Sequence, residues 1–514
     1  MAREDNYILD MQNITKIFPG VKANDNVNLS IKKGEIHALV GENGAGKTTL
    51  MNVLYGLYEP EEGQIFYEGS PANVDGPQDA INLGIGMVHQ HFMLVDPLTV
   101  TENIILGNEP RDGLTINREQ ARQEVKDISN KYGLYVDPEA KIIDISVGMQ
   151  QRVEIIKTLY RGADLLIFDE PTAVLTPQEI DELFEIFRSL KEQGKTIIFI
   201  THKLKEVKEI SDRITVLRSG KSIDTVNTEE VTESDVAELM VGRPVLLEVE
   251  KEKATPGKDF FQIENLKVKD NRGITAVNGV SLSVKKGEIL GIAGVEGNGQ
   301  SELIEAVTGL RKIESGQVKI NGKDTTKLNA EHIKREKVAH IPEDRQKRGL
   351  VMDFDLQENM ILGYHKLEPF SKNGIMNYNY IRDYTEKLLE EYDVRGGGVN
   401  TEAKSLSGGN QQKFIVAREF SHDPELLIAS QPTRGVDVGS IEFIHKQIVD
   451  RRDDGAAVLL VSAELSEILS LSDRIAVIFE GEIVKILDAE DADERKLGNL
   501  MTGSQADAGG EIDE

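Results

Sequence analysis

The sequence predicts an α/β fold in which one unit, a mainly parallel sheet with helices, occurs twice. Short apolar segments alternate with segments whose apolar residues fall at helical spacing, and this alternation favours parallel strands joined by helices. A Gly-rich phosphate-binding loop follows a strand pattern at residues 41–49, and an altered copy lies at residues 294–301. With 514 residues, the chain is long enough for two such units.

The elements of the first half follow in chain order. Residues 36–40 predict a short apolar strand that leads into the phosphate loop, and residues 47–55 predict the helix after it. Residues 164–169 and 195–200 predict two further strands. Between those strands, a helix after Pro177 is indicated by apolar residues at helical spacing: Ile180, Leu183, Phe184, Phe187 and Leu190.

Repeated phrases set the domain boundaries. Lys-Lys-Gly-Glu-Ile at 32–36 recurs at 285–289, and Ser-Asp-Arg-Ile at 211–214 recurs at 472–475. The offset between the halves grows from 253 to 261, so we expect a net insertion of eight residues between positions 343 and 407. The expected parts are a first domain at 1–243, a polar linker at 244–258, a second domain at 259–503 and an acidic disordered tail at 504–514.

Composition narrows the classes of function. A formal net charge of −28 argues against nucleic acid as a main partner, because binding to phosphate backbones needs clustered Lys and Arg. The chain has no Cys, which excludes disulfides and thiolate metal sites. Neither a secretory signal nor an apolar run of the roughly 20 residues that span a bilayer is present in the sequence. We expect a protein that is soluble or peripheral to a membrane.

The phosphate loop of the first half is complete. In the pattern G-x-x-x-x-G-K-[ST], glycines let backbone N–H groups surround phosphates, the Lys reaches the β- and γ-phosphates, and the hydroxyl binds Mg²⁺. The helix that follows offers further N–H groups and a favourable dipole. The candidate ATP-binding residues here are Gly41, Glu42, Asn43, Gly44, Ala45, Gly46, Lys47, Thr48 and Thr49.

Companion residues point to hydrolysis. A strand ends in two adjacent carboxylates, of which Asp169 is placed to hold Mg²⁺ and Glu170 to polarise an attacking water. Gln90 follows the strand-like residues 85–88, a Ser-Val-Gly turn at 146–148 begins a helix, and His202 ends another strand. An isolated Glu or His is more often structural, but these residues occur together and in order.

This order of motifs resembles the ATP-binding-cassette ATPases, and the resemblance covers nearly the whole chain. It implies tandem P-loop NTPase domains, each with a parallel sheet core, an added helical subdomain and antiparallel β elements. It also implies ATP and Mg²⁺ as cofactors and an intramolecular sandwich of two cassettes. The resemblance assigns catalysis to Glu170, His202, Gln90 and Lys47, Mg²⁺ binding to Thr48, Gln90 and Asp169, and adenine stacking to Phe18.

The second half has lost these residues as a set. Alignment by offset places Asn271 opposite Phe18, Gln300 opposite Lys47 and Glu343 opposite Gln90. It also places Ser430 and Gln431 opposite the paired carboxylates and Ala463 opposite His202. The altered second site comprises Gly294, Gly299, Gln300, Ser301, Glu343, Ser430, Gln431 and Ala463, with Ser146 and Gly148 from the first half.

The signature turns show the opposite pattern. The second half has Ser407-Gly408-Gly409, whereas the first has Val147 at the first Gly position. In the head-to-tail pairing that the resemblance implies, the complete loop at Lys47 faces the complete turn at Ser407. The sequence thus predicts one composite site that hydrolyses ATP. It predicts a second that does not, and we hypothesise that this second site binds nucleotide weakly or structurally.

Fused cassettes with a short acidic linker resemble the ATPase subunits of bacterial sugar and nucleoside importers. The phrase Leu426-Leu-Ile-Ala-Ser-Gln-Pro-Thr-Arg-Gly-Val-Asp437 is most similar to the purine-nucleoside branch. The resemblance implies two membrane permease subunits as partners, an extracytoplasmic substrate-binding lipoprotein as an indirect partner, and a peripheral location on the cytoplasmic face of the membrane. Alternatives are a ribose- or galactose-type importer and, from a different class, a soluble twin-cassette translation or repair factor.

Two segments are candidates for permease contact, residues 90–107 and their counterpart 343–363. The first carries an apolar run, Phe92, Met93, Leu94 and Val95. Such a run is equally compatible with local core packing. An exposed apolar patch there would favour the partner.

Overall fold

The computed structural model describes residues 6–89, 93–113, 115–172, 175–244, 251–295 and 297–503. The chain forms two compact units, Met1–Val245 and Leu246–Glu514. In these described ranges, no helix is both long and apolar enough to cross a bilayer.

The elements of the first unit alternate between strands and helices. Its strands are β1 (Tyr7–Phe18), β2 (Val21–Lys32), β3 (Ile36–Gly41), β4 (Glu62–Tyr67), β5 (Ser70–Ala72), β6 (Ile85–Val88), β7 (Arg111–Asp112), β8 (Thr115–Ile116), β9 (Leu165–Asp169), β10 (Thr196–Ile200), β11 (Arg213–Arg218) and β12 (Lys221–Asn227). Its helices are α1 (Lys47–Leu54), α2 (Pro77–Asn82), α3 (Val100–Ile105), α4 (Arg118–Tyr132), α5 (Val147–Tyr160), α6 (Pro177–Glu192), α7 (Leu204–Ile210) and α8 (Glu233–Val241).

Two sheets form the core of this unit. The larger has the order β12-β11-β3-β10-β9-β6, and all its pairings are parallel except that of β11 with β12. The smaller is antiparallel, with the order β2-β1-β4-β5. Helices α3, α4 and α5 pack on one another and form a helical part. The expected α/β class, with a mainly parallel core and antiparallel additions, is confirmed.

The second unit repeats this plan. Its strands are β13 (Asp259–Lys269), β14 (Thr275–Lys285), β15 (Glu288–Ala293), β16 (Ile313–Ile320), β17 (Lys323–Asp324), β18 (Val338–Ile341), β19 (Ser371–Lys372), β20 (Ile375–Met376), β21 (Leu426–Ser430), β22 (Ala457–Ser462), β23 (Arg474–Phe479) and β24 (Glu482–Asp488). Its helices are α9 (Gln300–Val307), α10 (Ala330–Arg335), α11 (Leu356–Met360), α12 (Tyr378–Glu391), α13 (Gly408–Phe420), α14 (Val438–Asp453), α15 (Leu465–Leu471) and α16 (Glu494–Met501). The sheets have the orders β18-β21-β22-β15-β23-β24 and β14-β13-β16-β17.

The central strands of the larger sheet in each unit are buried on both faces. Strands β3, β9 and β10 consist entirely of buried residues, as parallel strands covered by helices should. On α6, Leu183, Phe184, Phe187 and Leu190 are buried, and Ile180 packs against the same core. The Phe187 ring lies 4.5 Å from that of Phe168 in β9, so the helical spacing read from the sequence corresponds to the face that covers the sheet.

Helix caps show where the halves differ in length. Thr99 and Asp355 are equivalent caps, at an offset of 256, and Asn117 and Asn377 are equivalent at 260. The net eight extra residues therefore enter in three steps, of three, four and one, as the offset rises from 253 through 256 and 260 to 261. The first step falls after β18, where residues Arg345–Gly349 form a π-helical turn.

Candidate functional site

The phosphate loop of the first unit connects β3 to α1 and has a fixed backbone shape. Gly46 has φ 97°, and a Cβ at this residue would lie 2.3 Å from the carbonyl oxygen of Ala23 in β2. The side chain of Asn24 donates to the Gly46 carbonyl at 3.1 Å. Only glycine fits this position. The loop from Gly41 to Gly46 thus leads directly into the free N–H groups that begin α1, a geometry suited to phosphate.

Lys47 lies folded against this loop. Its ammonium donates to the carbonyl oxygens of Gly41 at 2.6 Å and Glu42 at 3.1 Å, and the residue is 6% exposed. Burial lowers the pKa of Lys47, while the nearby charges of Glu170 and Asp169 act in the opposite direction. The ammonium is held at the loop, where it can reach a phosphate oxygen.

Two carboxylates meet the loop at the end of β9. Asp169 is buried and hydrogen-bonds to the side chain of the loop residue Thr48. Its pKa is raised by burial and then by the adjacent negative charge of Glu170. A buried carboxylate with a raised pKa gains from a cation nearby. Thr48 and Asp169 therefore fit Mg²⁺, whose remaining ligands would be phosphate oxygens and water.

Glu170 is aimed by its backbone and by His202. Its φ of 47° is unusual for a residue with a side chain, and its N–H donates to the carbonyl oxygen of Ile200 at 2.9 Å. The Nδ1 atom of His202 lies 3.1 Å from Glu170 Oε1. This hydrogen bond is the main cause of the lowered pKa of Glu170. An ionised carboxylate next to an imidazole can accept a proton from water.

Two further candidate residues of the first unit are Gln90 and Phe18. Gln90, predicted as a catalytic and metal-binding residue, lies outside the described residues. Phe18 ends β1, half-buried, with its ring 5.3 Å from that of Tyr58. It pairs with the first residue of β2, the strand whose Ala23 and Asn24 contact the phosphate loop. An aromatic ring is thus available on the strand pair beside the loop.

The signature turn of each unit caps a helix. Ser146 Oγ accepts from the N–H of Met149 at 3.3 Å, and Ser407 Oγ accepts from the side chain of Asn410 at 2.9 Å. A Cβ at Gly148 would lie 2.8 Å from Glu179, and one at Gly409 would lie 2.1 Å from Asp437. A side chain at either position would therefore require the neighbouring acidic side chain to move.

The second unit keeps the shape of the phosphate loop. Gly299 also has φ 97°, and a Cβ there would lie 2.2 Å from the carbonyl oxygen of Ala276. The Gln300 side chain donates to the carbonyl oxygen of Val295 at 3.2 Å. Val295 is the counterpart of Glu42, so the amide repeats one of the two hydrogen bonds of Lys47. It also lies over Gly294, where a Cβ would be 2.4 Å from Gln300 Nε2.

The carboxylate positions of the second unit hold neutral side chains. Ser430 is 3% exposed at the end of β21. Gln431 has φ 48°, its N–H donates to Val461 at 2.7 Å, and its Oε1 accepts from the N–H of Ala463 at 3.1 Å. The backbone conformation matches that of Glu170. The side-chain amide of Gln431, however, is hydrogen-bonded to the backbone of Ala463, the residue aligned with His202. No base remains at this point.

Glu343 has contacts that the alignment did not anticipate. Its Oε2 accepts from the Ser301 hydroxyl at 2.7 Å, and its Oε1 accepts from Arg434 Nη1 at 2.9 Å. The guanidinium of Arg345 in turn donates to the backbone carbonyls of Arg434 at 2.7 Å and Gly435 at 3.2 Å. Arg434 occurs in the phrase 426–437 and Arg345 in the candidate contact segment 343–363, but neither was predicted as a site residue. The sequence signal that could have indicated them was a charged residue in each of the loops that follow β18 and β21.

The first unit therefore brings together an ammonium, two carboxylates and an imidazole at a phosphate loop. That set can bind a triphosphate and activate water. The second unit retains the loop without this acid–base set. Among the described residues, no group of three or more His, Asp or Glu side chains has the arrangement of a protein-only metal site.

Comparison with known proteins gives the same result for both units. The model of the ABC transporter family matches residues 24–173 and 277–434. The guanosine import ATP-binding protein NupO of Bacillus subtilis is 57% identical over 98% of this chain and 99% of its own length. The nucleoside import ATP-binding protein NupA of Lactococcus lactis is 55% identical over 98% and 99%. The glucose import ATP-binding protein TsgD13 of Haloferax volcanii is 45% identical over 100% and 99%.

The family model covers the phosphate loop and the strand-end carboxyl positions of both units. The similarity to NupO and NupA extends beyond these matched ranges to nearly the whole chain. The chain therefore belongs to the ABC transporter family, and the family model matches both of its units.

Proposed function

We propose that this chain is the ATP-hydrolysing subunit of a membrane importer of nucleosides. The observation that carries this proposal is similarity over almost the full length to two proteins named for nucleoside import, at 57% and 55% identity. The glucose import relative is more distant, at 45%. A sugar importer is the second candidate, and the 42% identity to a xylose import protein keeps it in view.

In the proposed mechanism, the first unit supplies the chemistry. Lys47 and the loop N–H groups bind the phosphates, while Phe18 stacks on adenine. Thr48, Asp169 and Gln90 would hold Mg²⁺, which when bound would neutralise charge on the phosphates. Glu170 accepts a proton from the attacking water, and His202 holds that carboxylate ionised and in place. The Glu170–His202 hydrogen bond of 3.1 Å supports this assignment.

We propose further that the chain works as a sandwich of its two cassettes. Ser407, Gly408 and Gly409 would complete the site at Lys47, and the altered second site would bind nucleotide without hydrolysing it. The proposal is supported by the distribution of the replaced residues between the units. The second unit has no base, but it keeps the complete signature turn that the first unit lacks. The match of the family model to both units also supports the proposal.

Two permease subunits are the proposed membrane partners, with a substrate-binding lipoprotein acting through them. This gives the chain a peripheral position at the cytoplasmic face. Met93 is 63% exposed and Val95 39%, while Leu94 packs against the core. In the counterpart segment, Phe354 is 44% exposed. Phe92 lies outside the described residues. These exposed apolar side chains favour partner contact over core packing for part of each segment.

Reconstitution tests the proposal. The chain is assembled in liposomes with the membrane subunits encoded beside it and the binding lipoprotein, and phosphate release is measured with guanosine, adenosine, ribose, galactose or glucose. Nucleosides should stimulate hydrolysis. Stimulation by a sugar alone would reject nucleosides as the cargo, and co-purification with ribosomes but no membrane protein would reject the importer.

A further inference from the structure

The second unit lacks the donor set that fits Mg²⁺ in the first. In the first unit, Thr48 hydrogen-bonds to Asp169. In the second, Ser430 replaces that Asp, and Ser301 donates instead to Glu343 at 2.7 Å. The carboxylate beside the hydroxyl has thus moved from a strand end to the loop after β18.

The relocated carboxylate already has a cation. Arg434 Nη1 lies 2.9 Å from Glu343 Oε1, so one carboxylate joins the Ser301 hydroxyl to a guanidinium. A cation paired in this way opposes the approach of a divalent metal to the same oxygens. The residues of the second unit therefore do not fit Mg²⁺.

The formal charges of the two loops differ accordingly. In the first unit, one positive and three negative side chains interact around the loop: Lys47, Glu42, Asp169 and Glu170. Their sum is −2, and a strongly anionic triphosphate needs a divalent cation to bind there. Of the aligned side chains of the second unit, Val295, Gln300, Ser430 and Gln431 are neutral, whereas Glu296, aligned with the neutral Asn43, adds one negative charge to the loop. Because the added pair of Glu343 and Arg434 sums to zero, the formal charge of this second set is −1, against −2 in the first.

Arg434 is positioned to meet a phosphate. Arg345 donates to the backbone carbonyl of Arg434 at 2.7 Å and to that of the next residue, Gly435, at 3.2 Å. Arg345 itself belongs to a turn whose N-terminal residue, Asp344, accepts from two backbone N–H groups at 3.0 Å each. The Arg434 side chain is 54% exposed, and such exposed ion pairs contribute little stability. A phosphate oxygen would give the guanidinium a second anionic partner, and a guanidinium can bind phosphate with bidentate geometry.

We propose that the second unit binds ATP without Mg²⁺, with the guanidinium of Arg434 as the cation at the phosphates. This inference rests on the proposed function, because it assumes that nucleotide enters the second site. It names the form of that nucleotide, metal-free ATP, and the residue that recognises it.

The test measures equilibrium binding of radiolabelled ATP to the full chain carrying Glu170→Gln, which prevents turnover. Two ATP molecules should bind per chain with Mg²⁺ and one with EDTA. Adding Arg434→Ala should weaken the EDTA-resistant binding by about tenfold or more, since a charged hydrogen-bond partner is lost. Arg434→Lys should recover part of it. Arg395→Ala, which removes an exposed arginine paired with Asp393, is the matched control and should change nothing.

The outcomes separate the two proposals. Two molecules with Mg²⁺ but none with EDTA would overturn metal-free binding and leave a nucleotide-binding second site intact. One molecule with Mg²⁺ and none with EDTA would overturn nucleotide binding at the second site itself. EDTA-resistant binding that survives Arg434→Ala unchanged would overturn the role of Arg434. Bound Mn²⁺, counted by electron paramagnetic resonance with saturating ATP, should be one per chain.

Discussion

Glu170 and Gln431 differ by one atom in their side chains and occupy the same backbone geometry. Glu170 accepts a hydrogen bond from His202, which lowers its pKa and keeps it ionised. Gln431 uses its oxygen to accept from the backbone of Ala463. For these two residues, the units differ in the negative charge of the Glu170 carboxylate and in the imidazole of His202 that orients it.

Exchanging these residues should have unequal effects. Glu170→Gln should lower ATP hydrolysis by about 10²–10⁴-fold, the usual contribution of a general base, while ATP binding persists. Gln431→Glu is the matched control, and it should leave the rate within about twofold because Gln300 and Ser430 remain. Phosphate release and ATP binding are measured on both variants. A rate for Glu170→Gln close to that of the unmodified chain would contradict the assignment of the base.

Single residues also show how far sequence reasoning reaches. The loop glycines and Gln300 were predictable because a turn with φ near 97° and a lost charge are local properties. The linkage of Ser301, Glu343 and Arg434 was not, because it joins three distant segments through a turn with three inserted residues. Alignment assigned Glu343 only as the counterpart of Gln90.

Among the elements, α13 carries a buried charged cluster in the second unit. Glu419 accepts from Lys334 at 3.0 Å and from Arg418 at 2.9 Å, and these cations lower its pKa to about 2 although burial opposes this. His422 lies just after the helix, with its ring stacked 3.6 Å from that of Tyr364. Burial, together with the positive charges of Lys334 and Arg418, lowers the pKa of His422 to about 4, although the negative charge of Glu419 acts in the opposite direction.

This cluster should make the second unit sensitive to acid. A histidine whose pKa is lower in the folded state than in the unfolded state opposes folding as it becomes protonated, so stability falls as the pH drops from about 6.5 towards 4. His422→Phe keeps the stacked ring and removes the titration. Between pH 7 and 5, the unmodified chain should lose about 1 kcal/mol more unfolding free energy than the variant, allowing for partial exposure.

Urea unfolding of the full chain at both pH values measures this difference. Equal losses in the two proteins would show that His422 does not titrate in this window. Because Glu419 titrates in the folded state only near pH 2, its protonation should not obscure the comparison.

Element types were more predictable than element ends. The strand predicted at 164–169 begins at Leu165, the one at 195–200 begins at Thr196, and the helix at 47–55 ends at Leu54. Apolar periodicity marks the buried face of an element, whereas its last residue depends on capping and on neighbours. The division of the eight inserted residues into three steps also required the observed caps.

At the scale of the whole molecule, the two signature turns give a paired test of the sandwich. Val147 and Gly408 are equivalent, and a Cβ at Gly408 would lie 2.7 Å from the flexible end of Arg345. Gly408→Val should lower ATP hydrolysis by on the order of 10²-fold, because a displaced turn misaligns the site it completes. Val147→Gly should leave the rate unchanged, since in the proposed pairing that turn completes the site without a base.

Both variants are compared by phosphate release, with thermal unfolding as the control for folding. If Val147→Gly altered hydrolysis as strongly as Gly408→Val, each turn would serve its own unit and the head-to-tail pairing would be wrong.

The left-handed backbone at Gln431 bears on how the two halves could have diverged. Such a conformation costs a residue with a side chain about 1–2 kcal/mol, and in the first unit it presents the carboxylate of Glu170. The second unit still carries this cost at φ 48°, with no base to present. The change that separates the halves here is therefore confined to side chains. Placing a base here would require a side-chain substitution alone, because the main chain already has the shape that presents Glu170 in the first unit.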